Sequence, residues 1–201
     1  MSSGFVNDRV FYKRKDSMRK LTIYCLNFLT LLNHAVVSWI IVSMYSMQNI
    51  FPFVQHLSKS SKLLFLGVLL TTKPLAEGCI AAYFMLKQVS NIRRTLLVCL
   101  FCLIASMLTF VGAVSCQSVI SLFVAMFLLG VGCSAIFVIQ ISLAQGSNKE
   151  NRTFIFNMME WSIGLGMSIG PLVLSTIVSR HSYSLAFVCV AFTALILLGV
   201  M

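Results

Sequence analysis

Lys73 and Glu77 lie four residues apart in the middle of an apolar run, where a charged side chain demands a reason. A lysine at the centre of a membrane-crossing helix costs about 2.5–3.5 kcal/mol on insertion scales. The i, i+4 spacing puts both charges on one helix face, where they can neutralise each other. Three readings follow: a self-compensating pair that only steadies a bundle, a pair that handles a substrate or coupling ion, or charges that pair with a second helical body. Asn33 and His34 sit midway along another apolar run. An imidazole there can bind a solute or shuttle a proton near neutral pH, and it can equally hydrogen-bond a neighbouring helix. Gln140 reads as interhelical glue or as a ligand. Glu160 reads as a gate partner for Arg93 or Arg94, or as a carboxylate reaching interfacial water. Trp39 and Trp161 read as packing or interface anchors.

Other chemistry has no residues to run it. The chain has no HExxH, no GxSxG elbow and no paired catalytic constellation, so an enzyme is not expected. Of the seven cysteines, Cys99 and Cys102 form a CxxC without a second ligand pair. Small buried hydrophobes are the better reading of them than zinc or redox ligands, and neither a metal nor a cofactor is expected.

The elements that must position these residues are six apolar stretches, roughly 21–46, 63–86, 95–115, 119–144, 154–178 and 183–201. A helix of about 20 residues rises about 30 Å, the thickness of the hydrocarbon core. Only helices or closed barrels satisfy the backbone in lipid, and these runs are too long for barrel strands. The fold class is therefore all-α, a polytopic membrane protein of six transmembrane helices. Composition agrees: 59% of residues are hydrophobic, 10% are charged, and the mean hydropathy is +0.95.

Basic residues alternate from rich to poor along the connectors. The 1–20 tail holds six Lys/Arg, the 87–94 loop three and the 145–153 loop two. The opposite connectors hold Lys59 and Lys62, then none, then Arg180, so the tally is eleven against three. By the positive-inside rule the basic tail, the second loop and the fourth loop face the cytosol, and both termini lie there. The tail cluster Arg9, Lys13, Arg14, Lys15, Arg19 and Lys20 suits anionic lipid headgroups. The net charge of +10 is spread over cytosolic flanks, so the expected partner is the lipid bilayer and not nucleic acid. The first apolar run is too long for a signal peptide and lacks a small-residue cleavage site. Asn151-Arg152-Thr153 is a glycosylation sequon on a cytosolic loop, where it is expected to stay unmodified.

The spacing hints at three-plus-three repetition. Spans one and four begin about 98 residues apart, and spans two and five each carry an interior proline, Pro74 and Pro171. Inverted repeats of three helices, with broken helices near the binding site, recur in transporters.

Three segments resemble signature stretches of the major facilitator superfamily. Gly166-Met-Ser-Ile-Gly170-Pro171 on span five is similar to the family's GxxxGP element. Its small residues stack on one face and admit a neighbouring backbone, while Pro171 loosens the hydrogen-bond ladder. Phe127-Leu128-Leu129-Gly130-Val131-Gly132 on span four is similar to RFLxGxG, with Met126 at the family's arginine position. That departure removes a cation often linked with proton coupling in relatives. The loop Leu86-Lys87-Gln88-Val89-Ser90-Asn91-Ile92-Arg93-Arg94 keeps the basic pair of the family's gating loop but not its glycines or its acid. Within the superfamily, the run from Arg19 through Gln55 and the Gln145–Pro171 stretch look most like the lysosomal ceroid-lipofuscinosis subgroup.

The resemblance implies the N-terminal half of such a transporter, with span one lining the central cavity and span two at the contact between halves. Family members have two six-helix halves, and this chain holds one. The expectation is a fragment or truncated product, or a half that pairs with another copy or a separate subunit. The leading function is secondary active transport of a small solute, with or without a coupling ion, by alternating access. The alternative is a non-transporting membrane scaffold or regulatory subunit derived from a half-transporter. The membrane is lysosomal or endosomal, or it is the plasma membrane, and both readings stay open for either function.

Overall fold

The computed structural model describes residues 4–87, 91–147 and 151–200, with side chains from Thr22 onward except at 48, 85, 87, 146 and 200. The side chains of the basic tail, and the loop residues Gln88, Val89, Ser90 and Lys149, lie outside the described residues. Helix α1 (Gly4–Met47) leads through a short 3₁₀ turn (Gln48–Ile50) to α2 (Pro52–Gln55), then to α3 (Lys59–Lys87) and α4 (Ile92–Cys116). The chain continues as α5 (Val119–Cys133), α6 (Ala135–Gly146), α7 (Arg152–Arg180) and α8 (Tyr183–Val200). The described residues form no strand. Among the described residues, five spans are long and apolar enough to cross a membrane: Thr22–Met47, Lys59–Phe84, Ile92–Cys116, Val119–Gln145 and Arg152–Arg180. The sixth apolar helix, Tyr183–Gly199, is shorter.

Three local features differ from the sequence reading. The basic tail does not stand apart from span one, because α1 is helical from Gly4. Arg93 and Arg94 belong to the first turn of α4, whose start is fixed by the Asn91 side chain accepting the Arg94 backbone N–H at 3.1 Å. The fourth span is two helices, broken at Ser134. Its hydroxyl donates to the Val131 carbonyl at 2.6 Å, and Gly130 and Gly132 just before it have low helix propensity, a combination that bends a helix.

Packing follows the small residues. α1 lies chiefly on α7, α4 on both α5 and α8, and α3 on α5. A Cβ added to Gly170 of α7 would stand 2.7 Å from the Ala35 carbonyl carbon of α1, and one on Gly166 would stand 3.1 Å from the Ala35 amide nitrogen. A Cβ on Gly132 of α5 would meet Leu103 of α4 at 3.0 Å. Lipid supplies no hydrophobic drive between helices, so close backbone approach and dispersion hold such contacts. Buried Ser106 adds an interhelical hydrogen bond, donating to the Ala125 carbonyl at 2.8 Å. Aromatic rings close the centre: Trp39 of α1 packs on Phe187 of α8 at 5.0 Å, and Phe187 stacks on Phe110 of α4 at 4.7 Å.

Candidate functional site

Lys73 stands at the midpoint of α3, 14 residues from Lys59 and from Lys87. At 1.5 Å per residue it is about 21 Å from either end, near the middle of a bilayer. Its ammonium donates to Glu77 Oε2, and this is the one salt bridge among the described residues. Both side chains are largely withdrawn from solvent, at 18% and 17% exposure, so the partnership is needed to hold either charge there.

Gly130 seats the pair. A Cβ on Gly130 would collide with the Lys73 carbonyl oxygen and stand 2.8 Å from the Ala76 Cβ and 3.2 Å from the Glu77 amide nitrogen. The backbone that carries both charges therefore rests directly on α5. In front of it lies a cavity of about 260 Å³ between α1, α3 and α5. Val37, Ile40 and Ile41 line it from α1, Leu70, Lys73 and Pro74 from α3, and Met126 and Leu129 from α5. Lys73 is the charged group in that apolar lining. Most pockets that hold a small ligand have this make-up, apolar walls with a few placed polar groups.

Asn33 is one helical turn before Val37 and two before Ile40, so it shares the cavity-facing side of α1 while standing deeper in the bundle. It is 1% exposed, and neither of its side-chain polar atoms has a hydrogen-bond partner among the described residues. His34 turns instead to α7, where its Cβ would be 3.1 Å from a Cβ on Gly166. Its Nδ1 is 2.9 Å from the Thr30 carbonyl; a carbonyl only accepts, so Nδ1 carries a hydrogen in this contact.

The remaining candidates are spread out. Gln140 is half-buried on α6 and does not line the cavity. Glu160 is exposed on α7, Arg93 and Arg94 are exposed at the start of α4, and no ion pair joins them among the described residues. Trp39 is fully buried, whereas Trp161 is 72% exposed. Pro171 follows Gly170 inside α7. No group of three or more His, Cys, Asp or Glu among the described residues could hold a metal ion.

Sequence reasoning did not place Val37, Ile40, Ile41, Met126 or Leu129 at a site, because apolar residues in an apolar helix carry no signal of their own. It also treated Gly130 and Lys73 separately. Only the α3–α5 contact shows that one positions the other.

A comparison with curated proteins returns no match. The family model of the Major Facilitator Superfamily, by contrast, matches residues 36–201, from the middle of α1 through α8. With a helical bundle of membrane-spanning length built around that segment, the chain belongs to the Major Facilitator Superfamily.

Proposed function

We propose that this chain moves a small solute across a membrane by alternating access, with the α1–α3–α5 cavity as its share of the binding site. The observation that carries the reading is a mid-depth lysine, ion-paired to Glu77, in the lining of an otherwise apolar cavity. A purely structural pair needs no cavity beside it. α3 and α7 are the spans least buried in the bundle, which leaves them a surface for a second six-helix body. That body is the rest of a longer chain, another copy or a separate subunit. Rocking of the two bodies around the cavity exposes it to each side in turn. The basic connectors support a cytosolic position for the tail and for the second and fourth loops. Resemblance to the lysosomal ceroid-lipofuscinosis subgroup supports an endolysosomal membrane over the plasma membrane.

The test is uptake of radiolabelled monocarboxylates, amino acids and sugars into phosphatidylcholine liposomes containing the purified protein. Flux of one class that disappears in Lys73→Ala supports the proposal. A folded protein that captures membrane partners but carries none of these solutes sinks it in favour of a scaffold.

A further inference from the structure

The α1–α3 seam holds two recesses in line. The deeper is the cavity at Lys73. The second opens at the end of the bundle where α1 stops and α3 begins, lined by Tyr45, Asn49, Lys59, Lys62 and Leu63. Tyr45 is one helical turn beyond Ile41 on α1, and Lys62 is about 16 Å along α3 from Lys73. Among the described residues the acidic side chains are Glu77 and Glu160, and neither lines this recess. Among the described residues the mouth of the seam carries two lysines and no acid, and the next charge inward along α3 is a third lysine.

Resting on the transport reading above, we propose that the seam takes a small organic monoanion, guided past Lys59 and Lys62, its charge seated on Lys73 while Glu77 takes up one proton. The ammonium has three N–H donors, and Glu77 is its acceptor among the described residues. Two donors are therefore left for a carboxylate. The apolar walls fit an apolar body, and 260 Å³ is about nine liquid-water volumes, room for an ion the size of benzoate.

Charge balance sets the proton count. The empty site holds one ammonium and one carboxylate and is neutral; adding an anion alone would leave a net negative charge in a low-dielectric place. One proton from water on Glu77 restores neutrality, with Lys73 passing from the Glu77 carboxylate to the solute's. Among the described residues, other groups offer no compensation. Cys133 of α5 lies within electrostatic reach of the pair, α1 presents apolar Val37, Ile40 and Ile41, and His34 is turned to α7.

The experiment uses the protein in phosphatidylcholine nanodiscs, with labelled benzoate as probe and benzamide and benzylamine as its neutral and cationic counterparts. Expected are benzoate binding at least about tenfold tighter than benzamide, and uptake of one proton per benzoate in weak buffer. Affinity should fall by about tenfold per pH unit as the pH rises, the slope of one proton taken up with each anion. Glu77→Gln abolishes the uptake and the pH slope while benzoate still binds. Lys59→Gln/Lys62→Gln slows association by about tenfold at low salt and leaves dissociation unchanged. Lys73→Met loses binding and Lys73→Arg retains it. Equal affinity for benzoate and benzamide, or benzoate binding without proton uptake, overturns the inference. So does occupancy by phosphatidylglycerol that benzoate cannot displace, since that makes the seam a lipid site. Benzoate binding with its proton but no flux in liposomes leaves this inference standing and removes the transport reading. Lys73-dependent flux of neutral or cationic solutes alone does the reverse.

Discussion

Gly130 of α5 touches the backbone of Lys73 on α3, so closely that any side chain on Gly130 would strike the Lys73 carbonyl oxygen. One small residue thereby sets how deeply the helix carrying the ion pair sits against its neighbour, and where the adjoining cavity begins. A charged site in lipid needs this kind of support, because a loose helix would let its charges find other partners or the interface.

Gly130→Ala is expected to destabilise the folded protein by about 1–3 kcal/mol through overpacking. Gly78→Ala, on α3 with no atom within 4 Å of the added Cβ, should be neutral or slightly stabilising. Thermal unfolding of the two variants in detergent separates these outcomes. Equal behaviour would contradict the close α3–α5 contact.

Breaking the Lys73–Glu77 pair from one side strands a largely buried charge. Lys73→Met and Glu77→Gln should each lower stability, while the double variant should recover part of the loss. A coupling energy of about 0.5–3 kcal/mol from the double-mutant cycle is expected. Additive losses would mean that the two side chains do not interact.

Asn33 offers the opposite signature. Neither of its polar atoms is hydrogen-bonded among the described residues, so Asn33→Leu removes a desolvated amide without losing a bond. Stability should hold or rise by about 1 kcal/mol. Solute flux in liposomes should fall, the combination expected of a polar residue kept for function. A marked loss of stability would show that Asn33 is structural.

Orientation can be read from cysteines and the sequon. Cys116 is exposed at the end of α4, whereas Cys99 and Cys133 are buried. An impermeant maleimide applied from the non-cytosolic side should label Cys116 and spare those two. In cells Asn151 should carry no glycan. Sugar at Asn151, or Cys116 labelled only from the cytosolic side, would invert the topology.

How much of this was legible beforehand varies with the physics. Apolar run length and the distribution of lysine and arginine are properties of the chain, because each helix satisfies its own backbone in lipid and each flank responds to charge locally. The all-α class, the six apolar stretches and the Lys73–Glu77 pairing therefore follow from residues 1–201 taken in order. The i, i+4 rule needs no partner helix. The break at Ser134 was missed because a serine in an apolar run bends a helix only when its hydroxyl turns back to a carbonyl, here that of Val131.

Sequence alone also marked Gly166 and Gly170 as a small face, and Gly130 and Gly132 as part of a family-like motif, without saying what any of them meets. Only the tertiary structure joined Gly170 to Ala35 and Gly130 to Lys73, turned His34 toward α7, buried Asn33 without a partner and opened a cavity beside a lysine. It also left Glu160 apart from Arg93 and Arg94. The reason is that which helix lies against which depends on complementary shapes of surfaces far apart in the chain. Spacing within one helix fixes a face, and packing between helices decides what that face does.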